Sequence, residues 1–133
     1  MLVSCVIPTV RRERLLAEAV ESVLSQRVTG VETEVVVVND AGEPLCPADW
    51  QNDSRVMVVN TYRTERSVAR NTGAALSRGD YLHFLDDDDV ILPGAYEAFS
   101  ESARRNPEAV WIVASYEAVL GSEGETILVS PVV

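Results

Sequence analysis

The sequence predicts a single three-layer α/β domain over residues 1–133, with a mostly parallel, Rossmann-like sheet and helices on both faces. Three short segments are almost continuously apolar, without the apolar–polar alternation of half-exposed strands, and such runs are typical of strands buried on both faces. They are Leu2–Pro8, Glu34–Asp40 and Arg55–Asn60. An amphipathic helix separates the first two, and strand, helix and parallel strand form a right-handed crossover. The 133 residues are 47% hydrophobic, which suffices for one core.

The first half of the chain supplies the clearest elements. The strand Leu2–Pro8 ends at a proline, and the segment Arg11–Gln26 that follows carries one apolar stripe at helical spacing. That stripe consists of Leu15, Leu16, Ala19, Val20, Val23 and Leu24. The next strand contains four successive valines, whose β-branched side chains favour a sheet. A loop then leads to Arg55–Asn60, which we expect to be buried like the first two strands.

The second half predicts a helix over Ser67–Arg78, which Gly79 ends, and a strand over Asp80–Leu85. Pro93 opens a further helix, with Arg104 and Arg105 in its last turn. Two β-rich segments separated by a glycine-containing turn predict a terminal antiparallel hairpin. These segments are Glu108–Leu120 and Thr126–Val129, and the turn is Gly121–Gly124.

Charge and cysteine content exclude several classes of function. A formal net charge of −10 repels phosphate backbones and anionic lipids, so we expect no nucleic acid partner. All 11 cations are arginines, which excludes lysine chemistry. Cys5 and Cys46 lack the spacing of metal ligands, and we expect two idle thiols. No signal sequence or membrane span is recognisable, which predicts a cytoplasmic protein.

Four consecutive aspartates, Asp86–Asp89, directly follow a predicted buried strand. Ligands of open parallel sheets collect beyond the carboxyl ends of the strands, and adjacent carboxylates repel one another unless a cation offsets the repulsion. Oxygen ligands suit Mg²⁺ or Mn²⁺, although a solvated acidic loop is the alternative. Arg63, Arg66 and Arg70 could meet a diphosphate, while a surface ion pair is the alternative for Arg70. We expect His83 to be a packed residue rather than a ligand.

Five motifs in order make the chain similar to the nucleotide-sugar half of a family 2 glycosyltransferase. The resemblance runs from about Leu2 to Tyr96, and the order of the motifs is more specific than any one of them. The motifs are Val3–Thr9, the helix Leu15–Gln26, Val35–Gly42, Ser67–Gly73 and Gly79–Asp89.

The resemblance implies a GT-A fold that binds a nucleoside-diphosphate sugar, with Mn²⁺ or Mg²⁺ and inversion at the anomeric carbon. It implies that Pro8 and Thr9 lie against the nucleoside and that Asp40 accepts a hydrogen bond from the base. It also implies nucleotide contacts for several matched residues and one metal ligand. The nucleotide-sugar residues are Arg70, Asn71, Asp86 on the ribose side and Asp87 in the middle of the D-x-D motif; the metal ligand is Asp88.

The sequence also departs from the family pattern. Val10-Arg11 stands where many relatives have Tyr-Asn, and Asn39 replaces the first carboxylate of a common Asp-Asp pair. Family members continue into an acceptor-binding half that carries the catalytic base. We therefore expect either that this chain is a fragment or a truncated relative, or that another subunit supplies the missing half. Glu117 is the candidate base, with a solvated hairpin residue as the alternative.

We therefore expect a metal-dependent glycosyltransferase that uses a glycan or lipid-linked acceptor. The alternative is a nucleotide-sugar-binding module without transferase activity, and an acidic interaction domain without a ligand is a third possibility. A Rossmann dehydrogenase is disfavoured because no G-x-G-x-x-G turn follows the first strand. Apolar residues within Val110–Val133 predict an exposed patch, which we expect to be covered in a homodimer.

Overall fold

The computed structural model describes residues 1–114 and the strands at 116–120 and 125–129. It contains six strands and three α-helices in the described part of the chain, with a short 3₁₀ turn at Asp49–Asn52. The strands are β1 (Leu2–Thr9), β2 (Glu32–Asn39), β3 (Val56–Asn60), β4 (Tyr81–Phe84), β5 (Tyr116–Leu120) and β6 (Glu125–Val129). The helices are α1 (Glu13–Leu24), α2 (Arg66–Leu76) and α3 (Ala95–Arg105).

The central sheet is parallel and has the strand order β3-β2-β1-β4. Helix α1 connects β1 to β2, and α2 connects β3 to β4 across the sheet in the opposite direction. Because such crossovers are right-handed, the two helices lie on opposite faces. The predicted α/β architecture with a parallel sheet is therefore confirmed.

The chain divides into two compact units, Met1–Glu97 and the residues from Ala98 onward. The first unit holds the parallel sheet. In the second, β5 and β6 form the predicted antiparallel pair as a separate two-stranded sheet, although β5 begins at Tyr116 and not at Glu108 as predicted. The predicted turn Gly121–Gly124 lies outside the described residues. That residues 1–133 form one domain stays a prediction.

The core of the first unit centres on β1 and β2, whose apolar side chains are buried on both faces of the sheet. The expectation that β3 is equally buried is wrong, because β3 lies at a sheet edge and Met57 is 41% exposed. At the other edge, Leu82 and Phe84 of β4 are also partly exposed. Cys5 is buried and Cys46 is exposed, and neither forms a disulfide.

Helix α2 lies unusually close to the sheet at Gly73. A Cβ at this position would lie 2.3 Å from Cγ1 of Val6 and 3.1 Å from Cγ2 of Val38. One turn earlier, Ala69 packs into the same cluster with Val6 and Val38. Small residues on the inner face of α2 therefore fix the position of the helix that carries Arg70.

Pro8 determines where the sheet ends next to β4. Successive residues of β1 form backbone hydrogen bonds alternately with β2 and with β4. On the β4 side, the carbonyl of Val6 accepts a hydrogen bond from the N–H of Leu85. Pro8 is the next residue that faces β4, and it has no N–H to continue the ladder. The backbone pairing with β1 consequently ends at Leu85, and the acidic turn begins there, beside the end of β1.

A second polar network lies at the opposite, amino edge of the sheet. The buried Glu34 carboxylate accepts hydrogen bonds from the Ser4 hydroxyl at 2.6 Å and from the backbone N–H of Arg78 at 2.6 Å. The Arg78 guanidinium adds two bonds, from Nε at 3.0 Å and Nη2 at 2.8 Å. Burial alone would raise the pKa of Glu34, but these hydrogen bonds outweigh burial and hold it below its usual value.

Candidate functional site

The candidate site lies at the carboxyl edge of the sheet, between β1 and β4. The connection from β1 leads away to β2, whereas β4 lies on the other side of β1, so the two strands flank a topological switch point. Crevices at such points are where open α/β sheets bind ligands. The polar ends of β1, β2 and β4 meet at this edge, as the sequence predicts.

The four aspartates form a reverse turn, in which the N–H of Asp89 donates to the carbonyl of Asp86 at 3.1 Å. Arginines from two other segments contact this turn. Arg70 of α2 forms an ion pair with Asp86, and Arg12, in the loop after β1, donates to Oδ2 of Asp88 at 2.8 Å. Each of these pairs is partly exposed.

Asp87 points the other way, into the protein, and is only 7% exposed. Its Oδ2 accepts from the Thr9 hydroxyl at 2.8 Å, and its Oδ1 lies 3.4 Å from Nη1 of Arg12. The middle residue of the D-x-D motif thus fastens the acidic turn to the end of β1. The structure shows Asp87 in contact with Thr9 and Arg12. Contacts of Thr9 and Asp87 with a nucleotide sugar stay predictions.

The acidic turn carries more negative charge than its arginine partners offset. In the described part of the chain, the four aspartates of the turn form ion pairs with two arginines, Arg12 and Arg70. The turn therefore has a formal excess of two negative charges. Burial raises the pKa of Asp89, and repulsion from Asp88, Asp86 and Asp87 adds to the rise. A cation bound to the turn would relieve repulsion of this kind.

Three of these residues could together hold a cation. Asp86, Asp88 and Asp89 each offer a carboxylate oxygen, and the three oxygens lie within 4.8 Å of one another. Neighbouring oxygens around Mg²⁺ or Mn²⁺ are roughly 3 Å apart, and those on opposite sides are roughly 4 Å apart. The separations in this turn reach somewhat beyond that range, so these side chains would draw together around an ion, and the all-oxygen donor set matches the chemistry of a hard divalent ion.

Asp40 occupies a buried position after β2, where its carboxylate organises the loop that leads into α2. Its Oδ1 accepts from the Thr61 hydroxyl at 2.7 Å and from the Thr64 N–H and hydroxyl at 2.8 and 3.0 Å. Its Oδ2 accepts from the N–H of Glu65 at 3.0 Å. Burial would raise the pKa of Asp40, but these hydrogen bonds prevail and lower it.

The loop that Asp40 holds contains two residues in the left-handed region. Arg63 has φ of 49°, and Glu65 has φ of 88° with ψ of 161°, a conformation that glycine adopts far more readily. The hydrogen bonds to Asp40 offset this strain. Asp40 therefore sets the start of α2, the helix on which Arg70 lies.

Asn39 explains why the sequence departs from the Asp-Asp pair at this point. Its side chain amide donates to the carbonyl of Glu43 at 2.7 Å and to Oδ1 of Asn60 at 2.9 Å, while its Oδ1 accepts from the N–H of Ala41 at 3.3 Å. A carboxylate could not make the two donations. Asn39 thus holds the turn after β2 and leaves Asp40 as the acidic group there.

The other predicted residues are placed as follows. Pro8 is buried next to Thr9, and Asn71 is exposed on α2, directly after Arg70. Glu117 belongs to β5, and its side chain lies outside the described residues. Arg63 and Arg66 are exposed in and after the loop that Asp40 holds.

His83 is packed, as expected. Its Nδ1 lies 3.0 Å from the hydroxyl of Tyr96, and burial lowers its pKa. Tyr96 in turn contacts the Cys5 thiol, whose pKa is raised by burial to about 12. The three side chains contact one another, and Cys5 and Tyr96 are buried.

Arg12 is the site residue that sequence reasoning missed. It contacts carboxylates 75 and 76 positions away, so no local pattern links them. A usable signal does exist: two arginines directly follow the first strand in an acidic chain, at the edge where the acidic turn emerges.

Comparison with known proteins identifies the family. The sequence profile of Glycosyl transferase family 2 matches residues 4–126, which is most of the chain. The chain belongs to glycosyl transferase family 2. Its curated relatives include an uncharacterized glycosyltransferase of Haemophilus influenzae, 27% identical over 132 residues, and the uncharacterized glycosyltransferase EpsJ of Bacillus subtilis, 31% identical over 110 residues. These alignments cover 98% and 79% of this chain, respectively.

The fold of this family 2 chain also matches solved structures. The crystal structure of Staphylococcus aureus TarS 1–349 aligns with a TM-score of 0.68 at 22% identity, over 96% of this chain and 38% of TarS 1–349. The same TarS segment in complex with UDP-GlcNAc aligns with a TM-score of 0.66 at 24% identity, over 80% of this chain and 32% of that one. The predicted GT-A fold is confirmed.

The chain covers less than half of the length of these relatives, 44% of the Haemophilus protein and 31% of EpsJ. No helix in the described part of the chain is long and apolar enough to cross a membrane.

Proposed function

We propose that this chain is the donor-binding part of a glycosyltransferase, which transfers a sugar from a nucleoside-diphosphate sugar to an acceptor hydroxyl. The observation that carries the proposal is the acidic turn at the β1/β4 switch point, which has two excess negative charges and forms ion pairs with Arg12 and Arg70. Membership of family 2 and the fold shared with TarS, whose structure was solved with UDP-GlcNAc, support a uridine nucleotide as the probe to use first.

The residues divide into a nucleoside end and a diphosphate end. Asp40 lies at the end of β2, and within the described part of the chain its Oδ2 accepts one hydrogen bond, whereas Oδ1 accepts three. Oδ2 therefore keeps capacity for an N–H of the base. Pro8 and Thr9 would form the floor beneath the nucleoside, and Asp86 would accept from the ribose. Arg70 and Asn71 would contact the nucleotide from α2.

Asp88 would hold a divalent cation, Mn²⁺ or Mg²⁺, with Asp86 and Asp89 close by. When bound, the cation supplies positive charge that stabilises the departing diphosphate. Without it, a diphosphate would meet a turn that already carries two unbalanced negative charges. Arg70 contributes a fixed positive charge on the same side, because α2 is held against the sheet at Gly73.

Transfer with inversion requires a base that deprotonates the acceptor hydroxyl on the face opposite the diphosphate. Glu117 stays the proposed base in this chain, and a glycan or lipid-linked alcohol stays the proposed acceptor. A homodimer is also part of the proposal, and Val110 and Trp111 of the expected patch are 86% and 85% exposed. If the chain carries no base, it is a nucleotide-sugar-binding module instead.

The experiment is a thermal-shift screen of nucleoside diphosphates and their sugars, with Mn²⁺ and with a chelator. A ligand that binds the native state raises the melting temperature. We expect stabilisation by UDP in Mn²⁺ and none in the chelator. No stabilisation by any nucleotide in Mn²⁺ would refute donor binding. Turnover of the sugar donor with a panel of acceptors then separates the transferase from the binding module.

A further inference from the structure

We propose that Arg12 is the internal counter-cation of Asp88, which it gives up to the divalent cation, and that it then binds the diphosphate of the donor. The inference rests on the proposed function and assigns to it a residue that the family motifs do not include. Arg12 lies in the loop between β1 and α1, at the β1/β4 switch point.

The geometry gives Arg12 two carboxylate partners of different kinds. It contacts Oδ2 of Asp88 at 2.8 Å, and Asp88 is one of the three residues whose oxygens could hold the cation. Its other contact, to Oδ1 of the buried Asp87, is longer, at 3.4 Å. The strong contact is thus made to the exposed and releasable carboxylate, and the weak one to the anchored carboxylate.

The exchange is physically easy because the Arg12–Asp88 pair is exposed. The side chains of Arg12 and Asp88 are 46% and 48% exposed, and ion pairs in such positions contribute little to stability. A divalent ion carries twice the charge of a guanidinium and sits closer to the oxygen, so it prevails at Asp88. Two positive groups beside one carboxylate repel each other, which drives Arg12 away.

Once released, the guanidinium lies where the diphosphate is expected. The metal site and Arg12 share Asp88, so a diphosphate held by the cation would lie within reach of a long, partly exposed side chain. A guanidinium matches phosphate oxygens with paired donors. Arg12 and Arg70 would then contact the diphosphate from opposite sides of the acidic turn.

A purely structural role makes a different prediction, which the experiment exploits. If Arg12 only held Asp87 and Asp88 in position, its removal would make the turn less ordered and would weaken the binding of both Mn²⁺ and UDP. The exchange instead predicts opposite signs: Mn²⁺ binds more tightly when its competitor is gone, whereas UDP binds more weakly when its phosphate contact is gone.

The experiment measures Mn²⁺ binding by electron paramagnetic resonance and UDP binding in saturating Mn²⁺ by calorimetry. We expect Arg12→Gln to tighten Mn²⁺ binding to the nucleotide-free protein by about threefold and to weaken UDP by about tenfold. Arg12→Lys keeps the positive charge, so its Mn²⁺ affinity should stay near that of the wild type. Arg14→Gln is the matched control, because it removes an equally exposed arginine two residues along the chain, and it should change neither affinity.

The outcomes separate the two proposals. Weaker or unchanged Mn²⁺ binding by Arg12→Gln would overturn the exchange, as would unchanged UDP affinity, while donor binding by the wild type would still stand. If neither the wild type nor Arg12→Gln binds Mn²⁺, the metal site of the proposed function fails and the exchange fails with it. If only Arg12→Gln binds Mn²⁺, Arg12 blocks Asp88 and is not displaced from it, which would also overturn the exchange.

Discussion

Gly73→Ala tests whether the site depends on the close approach of α2 to the sheet. The added Cβ would lie 2.3 Å from Cγ1 of Val6, whereas ordinary carbon contacts are about 3.5 to 4.0 Å. The helix must therefore move outward by about 1.2 Å or more, because Val6 is fully buried in a central strand and Val38 blocks the other side.

Two opposing effects set the magnitude. Overpacking costs about 1 to 3 kcal/mol, and a contact this short belongs at the upper end of that range. Alanine is the better helix former by about 1 kcal/mol. We expect a net loss of about 2 kcal/mol in the free energy of unfolding, which lowers Tm by about 8 °C in a domain of this size.

The assay is thermal unfolding followed by circular dichroism, together with UDP titration in Mn²⁺. UDP should bind several-fold more weakly, because Arg70 lies one turn before Gly73 and moves with the helix. Thr72→Ala is the control, since Thr72 lies on the same helix, is only half-buried and donates through its hydroxyl to the carbonyl of Val68; it should leave Tm unchanged or slightly higher. An increase in Tm for Gly73→Ala would show that helix propensity prevails and would refute the packing argument.

Three further predictions follow from the contacts at the two sheet edges. Asp40→Ala should weaken UDP much more than pyrophosphate, as measured by calorimetry in Mn²⁺, because a base contact is lost; equal losses would show that the substitution acts through the loop before α2 and Arg70 and would contradict the base contact. Asp86→Asn should weaken UDP less than Asp88→Asn does in the same titration, because we expect a ribose hydrogen bond rather than a metal ligand to be lost; the reverse order would exchange their roles. Glu34→Gln should lower the free energy of unfolding at pH 7 by about 2 kcal/mol. The pKa of Glu34 is lowered on folding, so its contribution to stability is present above the unfolded value of 4.5 and is lost as pH falls through the folded value. Between these two values the free energy of unfolding should fall more steeply with decreasing pH in the wild type than in Glu34→Gln, and identical slopes there would contradict the assignment.

Local residue patterns predicted those elements whose structure depends little on their position in the fold. The valines of β2 and the stripe of α1 indicate a buried strand and an amphipathic helix wherever they lie in the fold. Position in the sheet is a different kind of information. β3 has the same apolar pattern as β2, yet it is half-exposed because the strand order places it at an edge. Strand order depends on distant pairings that no single segment encodes.

The site shows the same division. The motifs predicted that the ends of β1, β2 and β4 meet, and the parallel sheet brings them together. They did not predict that Asp87 turns inward to Thr9, because four identical residues carry no signal of direction. That direction is set by the reverse turn and by a hydroxyl 78 positions away. Arg12 escaped prediction for the same reason.

We propose that a divalent ion at Asp88 allows a nucleoside diphosphate to bind beside the acidic turn. Calorimetric titration of UDP tests this directly, in the wild type with Mn²⁺, in the wild type with a chelator, and in Asp88→Asn with Mn²⁺. UDP should bind only in the first of these, because a diphosphate is otherwise repelled by uncompensated carboxylates. Wild-type affinity in Asp88→Asn, or equal affinity with the chelator, would contradict it.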